Sequence, residues 1–253
     1  MNIYIPTLGR TDKQITLSNL PTNLYDQTYL VCVEDEADSL KKYGVKLIVT
    51  PPEVKGIGPT RQYVIENTKD KHILFLDDDL KFYKRYKGKK LKKATPEQFN
   101  QLHTWINWTL EMGYPMVGVS AQAGNNRYDM NFAYLQRMFT VYGLNTEFLK
   151  ERNIRFDEMP LMEDFNVALK VIRNGYKTIT NTEWAHTQSN SNASGGCSTY
   201  RDFELQKKSA FMLMEKHYPY VKVVKKKAKS WENMEERYDV RVYWKKAYIE
   251  GTY

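Results

Sequence analysis

The sequence contains little cysteine and no long apolar run. Among its 253 residues are two cysteines, Cys32 in an apolar segment and Cys197 in a polar one. This number excludes a disulfide framework and is typical of a reducing compartment. No apolar stretch reaches the about 18 residues of a membrane-spanning helix, and the N-terminal residues lack the charged and apolar regions of a secretion signal. We therefore expect a cytoplasmic protein without stable membrane association.

Internal repeats are also lacking, whereas positive charge is in excess. The chain has 38 Lys and Arg against 30 Asp and Glu, a net charge of +8, and 42% of its residues are hydrophobic. A core of ordinary size is therefore possible, and an anionic partner is favoured. Nucleic acid, a phosphorylated ligand and a membrane surface all meet this description. The oligomeric state is left open.

Strand and helix signals alternate along most of the chain. The predicted strands cover residues 2–7, 28–35, 46–50, 72–78, 116–121 and 177–186, and the predicted helices cover residues 56–68, 95–112, 146–153, 163–175 and 200–217. Such alternation is typical of an α/β fold with a mostly parallel central sheet. We assign residues 1–217 to one domain and residues 218–253 to a basic, aromatic C-terminal extension that packs on it.

Three consecutive aspartates follow the most apolar of these strands. Residues 72–82 read HILFLDDDLKF, so Asp77, Asp78 and Asp79 lie at the strand end. Adjacent carboxylates repel one another, and their burial requires compensating positive charge. Alternate residues of an extended segment point the same way, so Asp77 and Asp79 can share a face and bind Mg²⁺ or Mn²⁺. A solvated turn is the alternative.

Two further segments carry residues that suit catalysis or metal binding. Glu163 and Asp164 begin a predicted helix, where acidic residues also occur simply because they complement the helix dipole. His186 ends a predicted strand and precedes the polar loop 187–198. Histidine is a common metal ligand, although a single histidine can equally be structural.

The order of these segments resembles that of GT-A glycosyltransferases. The resemblance rests on IYIPTLGR, GIGPTRQYVIENT, ILFLDDDL, FDEMPLMEDFNVALKVIRNGYKTI and a late histidine, and it covers most of residues 1–187. It implies a Rossmann-like fold that binds a nucleotide sugar, most simply UDP-glucose. It also implies a divalent metal, Mn²⁺ or Mg²⁺.

The same resemblance implies roles for individual residues. Asp77, Asp79 and His186 match the metal ligands, and Glu163 and Asp164 match the acidic pair from which one carboxylate acts as general base. The residues expected to contact the nucleotide sugar are Pro6, Thr7, Arg10, Glu34, Asp35, Arg61 and Asp78. The loop that contains Gly195 and Gly196 is a possible lid over the donor, or else a disordered segment.

Basic and amide side chains suggest the acceptor. Residues 81–93 hold eight Lys and Arg with interspersed aromatics, and residues 118–132 hold a polar cluster. Phosphates attract such cations, and amides can read base edges. The DNA-contact candidates are Lys84, Arg85, Lys87, Lys89, Lys90, Gln122, Asn125, Asn126 and Arg127. A solvated charged face and a simple turn are the alternatives.

A narrower resemblance concerns the blocks GNNR, DDDLKFY and MED. They are similar to bacteriophage DNA glycosyltransferases of the group associated with TET/JBP base hydroxylases. The resulting hypothesis is sugar transfer to a 5-hydroxymethyl pyrimidine in double-stranded DNA, in the host cytoplasm if the gene belongs to a phage. Three alternatives stay open: a GT-A enzyme acting on a polysaccharide or protein, a metal-dependent nucleotidyltransferase, and a DNA-binding module without catalysis.

Overall fold

The protein is built around one large mixed sheet. A computed structural model describes residues 1–86, 90–128, 130–188, 200–227 and 236–251. The strands are β1 (Asn2–Pro6), β2 (Thr28–Val33), β3 (Lys46–Thr50), β4 (His72–Leu76), β5 (Lys81–Tyr86), β6 (Lys90–Lys93), β7 (Met116–Ala121), β8 (Phe132–Tyr134), β9 (Val141–Asn145), β10 (Ile179–Thr187), β11 (Val221–Lys227) and β12 (Glu236–Val242).

The helices lie between these strands and after them. They are α1 (Glu34–Leu40), α2 (Ile57–Asn67), α3 (Pro96–Glu111), α4 (Thr146–Glu151), α5 (Glu163–Arg173), α6 (Phe203–Lys216) and α7 (Trp244–Glu250). Within the described ranges, no helix is both long enough and apolar enough to cross a bilayer.

The strand directions place the carboxyl ends of several strands at one edge of the main sheet. The main sheet has the order β3-β2-β1-β4-β9-β7-β10-β5-β6, and β8 pairs with β10. Strands β1, β2, β3 and β4 are parallel, and β7 and β10 share their direction because β9 lies antiparallel between β4 and β7. The predicted α/β class with a mostly parallel sheet is confirmed. The carboxyl ends of β1, β4, β7 and β10 consequently meet at one edge, where ligands bind in such sheets.

Burial on both faces explains the apolar run of β4. Leu74 and Leu76 pack into a core on one side of the sheet, together with α1 and α3. Ile73 and Phe75 pack into a second core on the other side, together with α2, α4 and α5. A strand covered on both faces reads as a continuous apolar segment, which is why it was the clearest strand of the sequence.

Several strands were missed or misjudged from the sequence. The segment predicted as strand 28–35 stops at Val33, because Glu34 already begins α1. The pair β5–β6 was interpreted only as a basic surface, since its lysines hide the strand pattern. Strand β9 was missed because Gly143, a residue that weakens a strand, interrupts its apolar pattern. A Cβ there would lie 2.5 Å from Cγ2 of Ile106, so glycine lets α3 pack closely on the sheet.

The C-terminal part forms a third core with α5 and α6. Strands β11 and β12 pair with each other and pack on α6, and α7 packs on α5. His217, at the end of α6, is buried between them: its Nε2 lies 2.9 Å from Oδ1 of Asn166, and Nη1 of Arg173 lies 3.2 Å from its Nδ1. A domain boundary near residue 218 stays a prediction.

The buried His217 predicts a pH dependence of stability. Burial and the nearby cations Arg173, Lys170 and Lys216 lower its pKa to about 3, whereas a histidine in the unfolded chain titrates near about 6.5. Between these values the unfolded chain binds the additional proton, so we expect His217 to make stability fall as the pH drops from about 6.5 towards 3. His217→Gln removes this contribution and keeps an amide donor for Asn166.

The stability difference between wild type and His217→Gln should therefore be larger at pH 7.5 than at pH 4.5 in urea unfolding experiments. The other histidines cancel in this comparison because both proteins retain them. An equal difference at the two pH values would contradict a neutral, proton-excluding His217.

Candidate active site

The loop after β1 holds the aspartate turn in place. The backbone amide of Thr16 donates to the carbonyl of Asp78 over 3.0 Å, and the Thr16 hydroxyl donates to the carbonyl of Asp77 and accepts from the amide of Leu80 at 2.8 Å. From the opposite side, the amide of Asp77 donates to the carbonyl of Thr140 at 2.9 Å. The turn is therefore fixed by two chain segments distant in sequence.

The three aspartates contact two different arginines. Because β4 ends at Leu76, they lie in a turn, and the alternation expected of an extended strand does not apply to them. Arg10 forms an ion pair with Asp78 and lies 3.2 Å from Oδ2 of Asp79. Arg61 donates to Oδ1 of Asp77 at 2.7 Å. In this arrangement Asp78 and Asp79 share one cation and Asp77 has another.

Arg61 also connects the turn to the acidic pair of α5. Its side chain is buried, with Nη1 2.6 Å from Oε1 of Glu163 and the guanidinium 5.2 Å from the ring centroid of Tyr142. Helix α2 carries Arg61 close to the segment before α5, where a Cβ on Gly58 would lie 2.6 Å from the carbonyl oxygen of Phe156. The predicted site residues Asp77, Arg61 and Glu163 are thus joined directly.

Asp164 is held by an arginine that the sequence did not single out. Nε of Arg137 donates to Oδ2 of Asp164 at 2.7 Å, and the Arg137 guanidinium stacks on Phe165 and Phe139 at 4.1 and 4.7 Å. Arg137 lies between β8 and β9, far from α5 in the sequence. Its contact with Asp164 exists only in the folded structure, so its position in the sequence gives no signal of it.

His186 lies next to the aspartate turn through Thr140. The Thr140 hydroxyl is 3.1 Å from Nδ1 of His186, and the Phe139 ring packs edge-on against the imidazole at 5.3 Å. Burial lowers the pKa of His186 to about 4, so the ring is neutral near pH 7. Neutral imidazole is the form that binds metals.

The charge balance of the site is suited to a divalent cation. Five carboxylates (Asp77, Asp78, Asp79, Glu163 and Asp164) face three guanidinium groups (Arg10, Arg61 and Arg137), a formal excess of two negative charges. Burial, together with the neighbouring carboxylates, raises the pKa of Asp77 to about 7 despite Arg61. In the described ranges, no three Asp, Glu, His or Cys side chains are grouped around one metal position. The donor types and the charge fit a metal, whereas the carboxylates here contact arginines.

The residues predicted to contact the nucleotide differ in where the structure places them. Asp78 accepts from the Thr7 hydroxyl at 2.8 Å and pairs with Arg10. Pro6, the residue before Thr7, is buried. Glu34 and Asp35 are exposed in the first turn of α1, where no contact with this loop is seen among the described residues.

The acidic residue that reaches the β1 loop is instead Glu36. Its Oε1 accepts from the amide of Gly9 at 2.6 Å, and its buried Oε2 has no hydrogen-bond partner in the part of the chain that is described. An unsatisfied buried carboxylate oxygen beside the predicted nucleotide site can accept a ligand hydroxyl. Glu34 and Asp35 stay predicted contacts, although the strand that was expected to carry them ends two residues earlier, at Val33.

The family of this arrangement follows from sequence comparison. A sequence model described as TET-Associated Glycosyltransferase matches residues 1–196, which include all the site residues above. This chain belongs to the TET-associated glycosyltransferase family. It is therefore a glycosyltransferase, and the alternatives of a nucleotidyltransferase and of a DNA-binding module without catalysis are excluded.

Individual relatives agree with this family. The Beta-glucosyl-HMC-alpha-glucosyl-transferase of Enterobacteria phage T2 is 24% identical over 218 residues, covering 79% of this chain and 75% of that protein. S. aureus TarS in complex with UDP-GlcNAc has a similar structure, with a TM-score of 0.54, 15% identity and coverage of 85% of this chain and 67% of that one. Glucosyl-3-phosphoglycerate synthase from Mycobacterium tuberculosis, in complex with Mn²⁺, UDP and phosphoglyceric acid, has a TM-score of 0.51 at 12% identity and covers 96% and 86%. These structures confirm the GT-A fold.

The candidate DNA contacts of this glycosyltransferase are only partly at its surface. Strand β5 pairs antiparallel with β10, so the basic pair β5–β6 begins beside His186 and runs away from the site edge. Lys84 and Arg85 are half-buried and Lys90 is exposed, whereas Lys87 and Lys89 lie outside the described residues. Most of the loop 187–198, with Gly195 and Gly196, also lies outside them.

The polar cluster after β7 divides into structural and accessible residues. Asn125 is fully buried, and its amide donates to the Ser120 hydroxyl and to the Thr182 carbonyl, so it stabilises the loop and is not placed to contact a base. This corrects the prediction for Asn125. The backbone amide of Gln122 donates to the carbonyl of His186 at 2.8 Å, and Asn126 and Arg127 are exposed. These three remain predicted contacts.

Removal of Arg61 should destabilise the protein strongly. Arg61→Ala leaves Glu163, which is 7% exposed, without its ion-pair partner. Loss of one partner of a buried pair costs about 3–5 kcal/mol, and chemical denaturation measures this change in the free energy of unfolding. The matched control is Arg155→Ala, because Arg155 also joins two carboxylates, Glu66 and Asp157, but in a more exposed position.

The control should lose about 1 kcal/mol or less. Adding Glu163→Gln to Arg61→Ala should recover part of the stability, because the uncompensated buried charge is then removed. Equal losses for Arg61→Ala and Arg155→Ala would contradict a buried ion pair at this position.

Proposed function

We propose that this enzyme transfers glucose from UDP-glucose to the hydroxyl of a 5-hydroxymethyl pyrimidine in double-stranded DNA, in a metal-dependent reaction. The name of the T2 relative, Beta-glucosyl-HMC-alpha-glucosyl-transferase, supports glucose as the transferred sugar. It supports a hydroxymethylpyrimidine acceptor only as a class, because the acceptor in that name already carries a glucosyl group. The UDP-GlcNAc complex of TarS, at this fold, supports a UDP-sugar donor. The observation that carries the proposal is the chain of contacts from Asp77 through Arg61 to the acidic pair that begins α5.

The acceptor hydroxyl needs a base, and Asp164 is suited to that role. Its side chain is buried, and the carboxylate is oriented from both ends: Arg137 donates to Oδ2 at 2.7 Å and the amide of Phe165 donates to Oδ1 at 2.9 Å. Each carboxylate oxygen keeps a second lone pair for the proton. Asp164 accepts the hydroxyl proton while the hydroxyl oxygen forms a bond to the anomeric carbon of the sugar. The bond from that carbon to the diphosphate oxygen breaks, and the electron pair leaves with UDP. Glu163 is a positioning residue here, because Arg61 joins its carboxylate to Asp77 of the aspartate turn.

The leaving UDP carries negative charge that the site must stabilise. Asp77, Asp79 and His186 are the residues that would hold Mn²⁺ or Mg²⁺, and the formal excess of two negative charges favours such binding. When bound, the metal supplies electrostatic stabilisation of the diphosphate. Pro6, Thr7, Arg10 and Asp78 line the β1 side of this region, where Glu36 offers its unsatisfied oxygen to a ribose hydroxyl.

DNA is the acceptor that best explains the charge beside the site. In the β5–β6 pair, Lys84 lies directly opposite Lys92 in register, and Nζ of Lys84 lies 3.7 Å from Oε1 of Glu183. The exposed Lys90 and Lys92 are therefore the cations of this pair that neighbouring phosphates would stabilise. A base within a duplex cannot reach Asp164 while stacked, so the modified base must leave the stack. A polysaccharide or a protein is the alternative acceptor.

Transfer can be tested with DNA that carries 5-hydroxymethylcytosine, 5-hydroxymethyluracil or glucosylated 5-hydroxymethylcytosine, incubated with Mn²⁺ and a panel of nucleotide sugars. Digestion to nucleosides followed by mass spectrometry should show a hexose-sized mass gain with UDP-glucose. Asp164→Asn should lower the transfer rate by about 100-fold or more, the range of a general base. The control Asp157→Asn removes an exposed carboxylate and should leave the rate unchanged. No gain on any DNA, with transfer to a glycan or protein, would refute the DNA acceptor.

Metal binding can be tested without catalysis. The free Mn²⁺ signal in electron paramagnetic resonance should fall when the protein is added with UDP, because the bound ion becomes invisible in solution spectra. Asp79→Asn should weaken this binding by at least tenfold, since one carboxylate ligand is lost. The matched control Asp38→Asn changes an exposed carboxylate on α1 and should bind Mn²⁺ like the wild type. Equal binding by Asp79→Asn would remove Asp79 from the ligand set.

A further inference from the structure

Strands β11 and β12 form a two-stranded ribbon whose faces differ in chemistry. The opposed pairs Val221–Val242 and Val223–Val240 lie on the face that packs into the core with α6. Adjacent pairs in a strand ladder point to opposite faces, so the pairs between them belong to the other face. That face carries Lys222 opposite Arg241, Val224 opposite Asp239, and Lys226 opposite Arg237.

The outer face of the ribbon places like charges directly opposite one another in two pairs. Four cations share it with one carboxylate, Asp239, whose Oδ2 lies 2.9 Å from Nζ of Lys226 and 3.6 Å from Nη2 of Arg237. The formal charge of the face is therefore +3. Directly opposed like charges destabilise a strand pair, and Lys222 and Arg241 are both exposed. These opposed cations are not needed to cover α6, whereas a bound anion would compensate their repulsion.

The size of the face matches a groove of DNA. Lys222 and Lys226 are four residues apart, or about 13 Å along a strand. The major groove is about 12 Å wide and admits a two-stranded ribbon, with phosphates along both of its sides. Cations at both ends of both strands, spread over this length, are suited to two rows of phosphates more than to one small anion.

We infer that the outer face of the β11–β12 ribbon binds the phosphate backbone of double-stranded DNA. The inference deepens the proposed function, on which its choice of partner rests, and it adds a contact surface to the candidates on β5–β6 and after β7. The match to the glycosyltransferase family ends at residue 196, so the ribbon lies outside the part that defines the family. On this outer face the apolar side chain is Val224, which is too small to anchor the ribbon in a membrane surface.

The ribbon is tied to the helix that carries the proposed base. His217 connects the end of α6 to Asn166 of α5, and Trp244, directly after the ribbon, stacks on Phe165 at 6.1 Å with an interplanar angle of 5°. Phe165 follows Asp164 in the chain and also contacts Arg137. DNA bound to the ribbon would therefore be held in a defined position relative to Asp164.

The test uses the full-length protein and a 30-base-pair unmodified duplex, with binding measured by fluorescence anisotropy at several salt concentrations. Lys222→Gln/Arg241→Gln removes one opposed pair from the ribbon. Lys41→Gln/Lys42→Gln removes the same charge from an exposed site after α1. We expect the ribbon variant to lose about tenfold or more in affinity at 0.1 M salt, and its slope of log K against log salt to become shallower by about 2. The control variant should keep both values.

A thermal unfolding measurement separates loss of binding from loss of folding. Because the substitution removes repulsion between opposed cations, the Tm of the ribbon variant should be equal to or above that of the wild type. Unchanged duplex binding by the ribbon variant, or equal losses for the ribbon and control variants, would overturn the inference. So would binding to anionic phosphatidylserine vesicles that is as tight and as dependent on Lys222 and Arg241 as duplex binding.

Sugar transfer is assayed separately on hydroxymethylated DNA. If the wild type transfers no sugar to DNA while the ribbon variant alone loses duplex affinity, the proposed acceptor is wrong and the ribbon surface stands. If transfer to DNA occurs and the ribbon variant has an unchanged KM for the duplex as well as unchanged binding, the ribbon inference fails and the proposed function stands.

Discussion

The contact of Arg61 with Asp77 and Glu163 is the interaction on which the rest of the site depends. It joins three elements that are distant in sequence: the end of β4, helix α2 and the start of α5. A buried ion pair adds little net stability compared with apolar packing, because desolvation offsets most of the attraction. Its effect here is geometric, since Arg61 and Glu163 are both buried and the same guanidinium also holds the partly exposed Asp77. The separation between the aspartate turn and the acidic pair is fixed in this way.

Two strained residues lie next to this connection. Thr140 and Met162 both have positive φ angles, 63° and 64°, in a region that side chains with a Cβ rarely adopt. The carbonyl of Thr140 accepts from Asp77, and Met162 directly precedes Glu163. Such conformations cost about 1–3 kcal/mol each and persist where surrounding contacts impose them. Thr140 contacts Asp77 and Met162 precedes Glu163, and both of these carboxylates are ion-pair partners of Arg61. The contacts of the site therefore outweigh the cost of the strained backbone.

The excess positive charge is organised on extended pairs of strands at the margins of the fold. Both β5–β6 and β11–β12 place cations opposite each other, Lys84 with Lys92 in the first and Lys222 with Arg241 in the second. The first begins beside His186 at an end of the main sheet, and the second is attached to α5 through α6 and Trp244. Negative charge is concentrated at the aspartate turn and at the start of α5. In the proposed function, the acidic site would hold the metal and the diphosphate, and the basic strand pairs would contact the DNA.

The α/β class, the strands β1, β3, β4 and β7, and the helices α2, α3 and α5 could be predicted from the sequence, because apolar periodicity and end signals such as the Thr95–Gln98 capping box are local. Asp77, Glu163 and His186 could be singled out for a related reason, because each lies at or next to the end or start of such an element. Their roles stay predictions. Contacts between elements could not be predicted from the sequence. The site also contains Arg137, Glu36 and Thr140, which reach it from distant parts of the sequence. Asn125 is buried because the fold brings together loops that are separate in the sequence. The opposed lysines and arginines of β11–β12 depend on strand register. Local patterns determine which segments form strands and helices, whereas the packing of the sheet and its loops decides which side chains meet.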